Sequence, residues 1–255
     1  MPASISKPLL SFKNKLLHFD DDIEFVDILH STIKGTTIDD SKSCLFEYQD
    51  QEKHPNISRY SICQDNRLLI MRHLKSTVYS SYVKDIYEEV TIYLRSIISE
   101  AYQNASVTPS RIIGEHKVSL SAVEILAGIQ SGTLAQTVID NMFQVLENER
   151  STISLIKKTC NKLGINVQSQ LIDDAVYYLE IRHKLVHTDG YADREFKTSH
   201  PTLKYTQGNY IDLTYQIIQD ARTAIFTLME AIDSDAIAKG IIRPNTPPTT
   251  THLGG

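Results

Sequence analysis

The sequence predicts an all-α fold, an up-and-down helical bundle with an N-terminal, mostly helical extension. Three observations lead there. Apolar residues recur at spacings of three and four over most of the chain, and the longest such stretch contains neither glycine nor proline. Capping residues and glycines punctuate these stretches where helices should begin and end. Strand-like alternation is scarce outside one polar segment and no fixed-period repeat occurs, so helix must pack on helix. The expected organisation is an extension over residues 1–67, a helical domain over 68–242 and a flexible tail over 243–255.

In the extension, "DDDIEFVDILHSTIKG" is expected to form a helix capped by Asp20 to Asp22 and ended at Gly35. Three carboxylates at a helix start complement the macrodipole and need no metal to explain them. The polar stretch that follows, with "LFEY" and "SRYSI", reads as short extended pieces or loop. From Leu68 the residues Val83, Ile86, Val90, Tyr93, Leu94, Ile97 and Ile98 mark one long helix or two stacked ones.

After a loop with Pro109 and Gly114, "SLSAVEILAG" and "SGTLAQTVIDNMFQVLENE" are expected as helices. "STISLIKKTCNKLG" is a further one, capped by Ser151 and closed by Gly164. The next helix runs from about Ser169 to His187, and a polar loop with Gly190, Pro201 and Gly208 leads to a final long helix over about 210–239. The tail, "RPNTPPTTTHLGG", has no apolar periodicity with which to offset its ordering entropy.

Composition narrows the function. The 255 residues can bury a core without staples. Three cysteines, Cys44, Cys63 and Cys160, lie far apart with no CxxC pair, so a disulfide framework or cysteine zinc site is not expected and a reducing, cytoplasmic setting is. No apolar run approaches the roughly 18 to 20 residues of a membrane helix, and "MPASISKPLLSFKNKLL" lacks a signal peptide's apolar stretch. A net charge of -5 argues against nonspecific coating of nucleic acid, so any such site must be local.

One local feature stands out. On the helix ending at His187, the rows Leu171, Ala175, Tyr178 and Ile172, Val176, Leu179 continue into Arg182 and His183, while Leu185 and Val186 carry the apolar stripe onward. Groups that carry charge are costly in such a stripe unless they are paired or face a cleft. Three readings fit. Arg182 lays its stem over the core edge, pairing with Glu180 or Asp189, and His187 answers the helix dipole. Alternatively, His183 and His187, four apart, chelate zinc, although "HKLVH" lacks the glutamate of H-E-x-x-H and a third ligand is not evident. In the third reading, imidazoles that move protons near neutral pH work beside a guanidinium that holds phosphate by two hydrogen bonds, as in a ribonuclease.

The segment R-H-K-L-V-H resembles the R-x4-H motif of RNase-type HEPN domains, with a polar residue directly after the arginine. Its setting is similar too: the end of a late helix, a polar loop with Gly190 after it and "LENERSTISLIKKTCNKLGI" before it. The resemblance spans roughly Leu68 to Arg243. It implies a HEPN-like bundle, a homodimer in which two motifs face each other across a cleft, and a role in toxin or antiphage defence under an antitoxin or sensor. It also implies metal-independent RNA cleavage by 2′-hydroxyl attack, without a cofactor. Arg182 and His187 are about 140° apart on one ideal helix, so two helices meeting at a dyad would aim them better than one.

In that scheme His187 moves the proton, Arg182 stabilises charge on the phosphate and His183 orients phosphate or partner. Lys184, Arg194, Lys197 and Lys204 are candidate RNA contacts, with Lys157, Lys158 and Lys162 on the preceding helix, or else ordinary solvated surface. Tyr191, Phe196 and Tyr205 either stack on unpaired bases or anchor the loop. The alternative function is a noncatalytic HEPN dimer that binds RNA, a nucleotide or a protein. Covering of the cleft by residues before Leu68 would provide control.

Overall fold

The computed structural model describes residues 4–35, 52–53, 64–114, 117–147 and 151–245. These are all-α, with no strand among them and three isolated backbone bridges, Ser6 to Pro244, Tyr191 to Tyr210 and Tyr205 to Ile211. The short pieces expected around "LFEY" and "SRYSI", with Cys44 and Cys63, lie outside the described residues, as does the tail beyond Asn245.

The first helix, α1 (Lys7–Gly35), begins a full thirteen residues before the expected aspartates. Ser6 starts it, its hydroxyl accepting the Leu9 N–H at 3.1 Å. The physical reason for the early start is that the apolar rhythm extends backwards: Leu9, Phe12, Leu16, Ile23, Val26 and Ile33 are buried at helical spacing. Asp20 to Asp22 therefore sit mid-helix and cap nothing. Asp20 is tolerated because it crosses to another helix, accepting from Arg222 Nε at 2.6 Å. Asp27 likewise meets Lys75 Nζ at 2.5 Å and the Tyr79 hydroxyl at 3.0 Å.

The spine is α2 (Gln64–Gln103), one unbroken helix about 60 Å long at 1.5 Å per residue. Against it pack α1, α3 (Pro109–Ile113), α5 (Leu134–Glu147), α6 (Thr152–Leu163), α7 (Ser169–His187) and α9 (Tyr215–Ala238). The remaining helices are α4 (Ala122–Ser131) and α8 (Arg194–Ser199). Leu9 and Phe12 of α1 share one core with Tyr93 and Leu94 of α2, Leu179 of α7 and Leu228 of α9. At its centre the buried Asp233 accepts from the Ser6 N–H at 2.9 Å, from the Ser6 hydroxyl and from the Tyr93 hydroxyl at 3.2 Å, tying α1, α2 and α9 together.

Local signals place α6 and α7 where expected. The Ser151 hydroxyl accepts the Ser154 N–H at 3.2 Å, and Gly164 ends α6 in the left-handed region, φ 75°. The final helix starts later than expected, at Tyr215, because residues 210–214 are committed elsewhere. The N–H of Ile211 bonds Gly190 O at 2.9 Å, that of Asp212 bonds Lys204 O at 2.9 Å, and Thr214 then caps α9. The loop before it also holds α8, whose cap is Asp193.

Candidate functional site

The core-facing row of α7 is Ile172, Ala175, Val176, Leu179, Ile181 and Leu185, all buried. Arg182 and Lys184, next to it, are half-buried, whereas His183 and His187 are exposed. The helix stops because Thr188 turns its hydroxyl back to Lys184 O at 3.0 Å and the chain reverses through Asp189 and Gly190, φ 50° and 85°. Gly190 is needed there, since a Cβ at this φ would be strained and would press on Leu185 Cδ2 at 3.3 Å.

Beside this end lies a cleft of about 680 Å³. Its walls are Tyr87 of α2, Glu147 at the end of α5, Ser151, Thr152 and Leu155 at the start of α6, Phe196 of α8, and Leu179, Glu180, Arg182, His183, Lys184 and His187 of α7. Arg182, His183 and His187 thus border one space despite their angular spread on the helix.

The Arg182 guanidinium meets neither Glu180 nor Asp189. Its Cζ lies 4.7 Å from the centroid of the Tyr87 ring, a cation–π contact. Glu180 turns instead to the buried His200, 3.6 Å from Nε2. The rings of His183 and His187 are 4.5 Å apart, inclined at 48°. Burial at the cleft edge holds the His183 imidazole below its ordinary pKa, and the positive charge on His187, Lys184 and Arg182 adds to this. Among the described residues, no three His, Cys, Asp or Glu side chains form a group that fits a cation.

Lys184 is held in place. Its Nζ is 2.5 Å from Asp193 and 5.4 Å above the Phe196 ring. Asp193 caps α8 through the Phe196 N–H at 2.8 Å, and the hydrogen bond from Lys184 is the main cause of its lowered pKa. The other three candidate RNA contacts do not border the cleft. Arg194 and Lys204 are exposed outside it, and Lys197 donates to Asn209 Oδ1 at 2.5 Å beside the Tyr205 ring. On α6, Lys157 faces Asp173 at 4.0 Å and Lys162 donates to the carbonyls of Ile112 and Ile113.

Two of the loop aromatics are anchors. Phe196 is buried and stacked on His200 with centroids 3.9 Å apart, and the Tyr205 hydroxyl donates to His200 O at 2.9 Å. Tyr191 remains exposed, edge-on to Tyr210 at 5.9 Å. Tyr87 is the cleft residue that sequence reasoning missed. Its neighbours Ile86 and Val90 signal a helix, but nothing local marks the phenol as a seat for a guanidinium. Searched against protein-family models, curated proteins and solved structures, the chain matches none.

Proposed function

We propose that the Arg182 cleft cleaves RNA, as an endoribonuclease of HEPN-like type that calls on no metal. One observation carries the reading: a guanidinium that has no carboxylate partner among the described residues, seated on Tyr87, opens on the same cleft as two imidazoles in contact. Such a guanidinium keeps its fork of N–H donors for a phosphate, and imidazoles are the side chains best suited to moving protons near neutral pH.

In the proposed reaction the ribose 2′-oxygen attacks the adjacent phosphorus as its proton passes to an imidazole, with His187 in that role. The bond from phosphorus to the 5′-oxygen breaks, and a protonated imidazole supplies the proton that the leaving oxygen needs. Arg182 stabilises the charge growing on the nonbridging oxygens, and His183 orients the phosphate. The products are a 2′,3′-cyclic phosphate and a 5′-hydroxyl. DNA, without the attacking hydroxyl, is not a substrate. The resemblance to HEPN ribonucleases adds the expectation that a second protomer completes the site, in a setting of toxin or antiphage defence.

A second reading is a HEPN-like dimer that binds a nucleotide, RNA or protein without turnover. Glu147 and Glu180 on the cleft wall set two carboxylates near the cations, which weakens its pull on a polyanion and favours the protein-binding form of this reading. The experiment that separates the two is incubation of labelled RNA and single-stranded DNA with the full chain in excess EDTA, beside Arg182→Ala and His187→Ala. Cutting of RNA alone, by wild type alone, supports the ribonuclease. RNA retained but uncut supports the binding module.

A further inference from the structure

A polar pocket lies apart from the Arg182 cleft and shares no lining residue with it. It measures about 620 Å³, within the range of small-ligand sites. The start of α1, the last turns of α2, Gln136 of α5 and the segment that follows α9 enclose it. That segment is laced in place. Asn104 Nδ2 donates to Ile241 O at 3.4 Å, the Arg243 N–H to Glu100 Oε1 at 2.7 Å and the Asn245 N–H to Ile5 O at 2.7 Å. Arg243 is therefore carried to the rim by backbone that is already hydrogen-bonded, and the walls are preorganised.

The charge of the pocket runs against that of the chain. Three cations, Lys7, Arg95 and Arg243, line it beside one carboxylate, Glu100, in a protein of net charge -5. Arg95 lies over the Phe143 ring and meets Glu147 at 3.5 Å and Asp140 at 4.0 Å, long contacts that leave donors to spare. No carboxylate among the described residues pairs with Lys7 or Arg243. Two such cations on one pocket match the nearly double charge of a phosphomonoester. A phosphodiester, with a single charge, would leave one of them unmatched.

Glu100 narrows the ligand further. Its Oε1 accepts from the Arg243 N–H, and Oε2 is left to accept from a ligand. A carboxylate repels a bare phosphate but takes hydrogen bonds from hydroxyls. Three serines and four carboxamides add neutral donors and acceptors. Among them the Ser99 hydroxyl donates to Gln136 Oε1 at 2.6 Å and accepts from Gln103 Nε2 at 3.3 Å. No aromatic ring among the described residues lines the pocket, so a nucleobase finds no face to stack on. We infer that this pocket binds a small polyol phosphate, its phosphomonoester held by Lys7 and Arg243 and a hydroxyl donating to Glu100. The site goes beyond the ribonuclease reading and does not rest on it.

The test is calorimetric titration of the full chain with ribose 5-phosphate, glucose 6-phosphate, glycerol 3-phosphate and inorganic phosphate, each to about 10 mM, a range that covers millimolar affinity. Lys7→Ala and Arg243→Ala are carried alongside, since both side chains are exposed and the core does not depend on them. A polyol phosphate is expected to bind at least ~10-fold more tightly than inorganic phosphate, and each alanine variant to weaken it about tenfold, the loss of one charge-assisted hydrogen bond. Glu100→Gln should narrow the gap, because inorganic phosphate gains. Failure of all three polyol phosphates overturns the proposal, as does binding that ignores both alanine variants. Inorganic phosphate that binds wild type as tightly as the polyol phosphates overturns it in favour of a bare anion site. A single-stranded DNA oligonucleotide that binds through Lys7 and Arg243, where the small phosphates do not, overturns it in favour of a polyanion. With binding established, sedimentation with phosphatidylinositol 4-phosphate vesicles that is lost in Arg243→Ala assigns the polyol phosphate to a lipid headgroup, and its absence to a free solute.

Discussion

Arg182 of α7 rests on Tyr87 of α2, Cζ 4.7 Å from the ring centroid, and forms no ion pair with Glu180 or Asp189, the carboxylates nearest in sequence. The contact limits where the guanidinium N–H groups point, and among the described residues no carboxylate pairs with them. A partly desolvated contact of this kind contributes about 1 kcal/mol. Tyr87→Ala is therefore expected to lower the kcat/KM of the proposed cleavage about fivefold. Tyr87→Phe, which keeps the ring face, should restore it. A ring-current shift on Arg182 Nε–H, lost in the alanine variant and kept in the phenylalanine one, reads the same contact without turnover.

The His183 imidazole should titrate below the ordinary histidine midpoint, followed by its ring signals in NMR. Burial is the first cause and the neighbouring His187 the second, so His187→Ala should move the midpoint up without fully restoring it. The sign for stability follows. Between the lowered folded pKa and the ordinary one near 6.5, the unfolded chain binds more protons. The stability contributed by neutral His183 is therefore complete above that upper value and is lost as pH falls through the folded pKa. An unmoved midpoint in His187→Ala would show that the two rings are not electrostatically coupled.

Asp233→Ala is expected to be the costliest single change at the junction of α1, α2 and α9. It takes the acceptor from the buried Ser6 N–H and hydroxyl and leaves the Tyr93 hydroxyl only the Met229 carbonyl at 3.5 Å. A loss of about 3 kcal/mol is expected in urea unfolding, typical of breaking a buried charged hydrogen-bond network. Asp233→Asn, which keeps one acceptor oxygen, should lose less. Equal losses would mean that the charge matters more than the geometry.

Arg222→Ala tests the Asp20 clamp through pH. Burial already pushes the Asp20 carboxyl up, opposed by the Arg222 hydrogen bond and charge, and removing Arg222 raises it further. A carboxyl whose folded pKa lies above the unfolded one loses stability as pH rises through the folded value. The penalty of Arg222→Ala, measured by thermal melts, should therefore be larger at pH 7 than at pH 4.

Much of the helical framework is legible in the sequence because its causes are local. The bounds of α7, the Ser151 cap and the left-handed Gly164 all follow from neighbours within one or two turns. The start of α1 shows the limit. Asp20 to Asp22 look like caps when read alone, but they are carried mid-helix because Leu9, Phe12 and Leu16 have a core to enter and Asp20 has Arg222 to meet. Likewise, residues 210–214 have helical neighbours, but bonds to Gly190 and Lys204 draw them out of α9.

The sequence by itself determined the all-α class, the helix ends that carry their own caps, and the gathering of Arg182, His183 and His187 at one of those ends. Periodicity and capping act within a few residues, so composition and spacing suffice to reveal them. Only the tertiary structure decided that Arg182 would meet a ring on α2, that Lys184 would be held by Asp193, and that Val123, Leu126 and Ile129 of α4 would stay in water. Each of these depends on which distant helix packs alongside, and side-chain pairing across a bundle is set by that packing and not by distance along the chain.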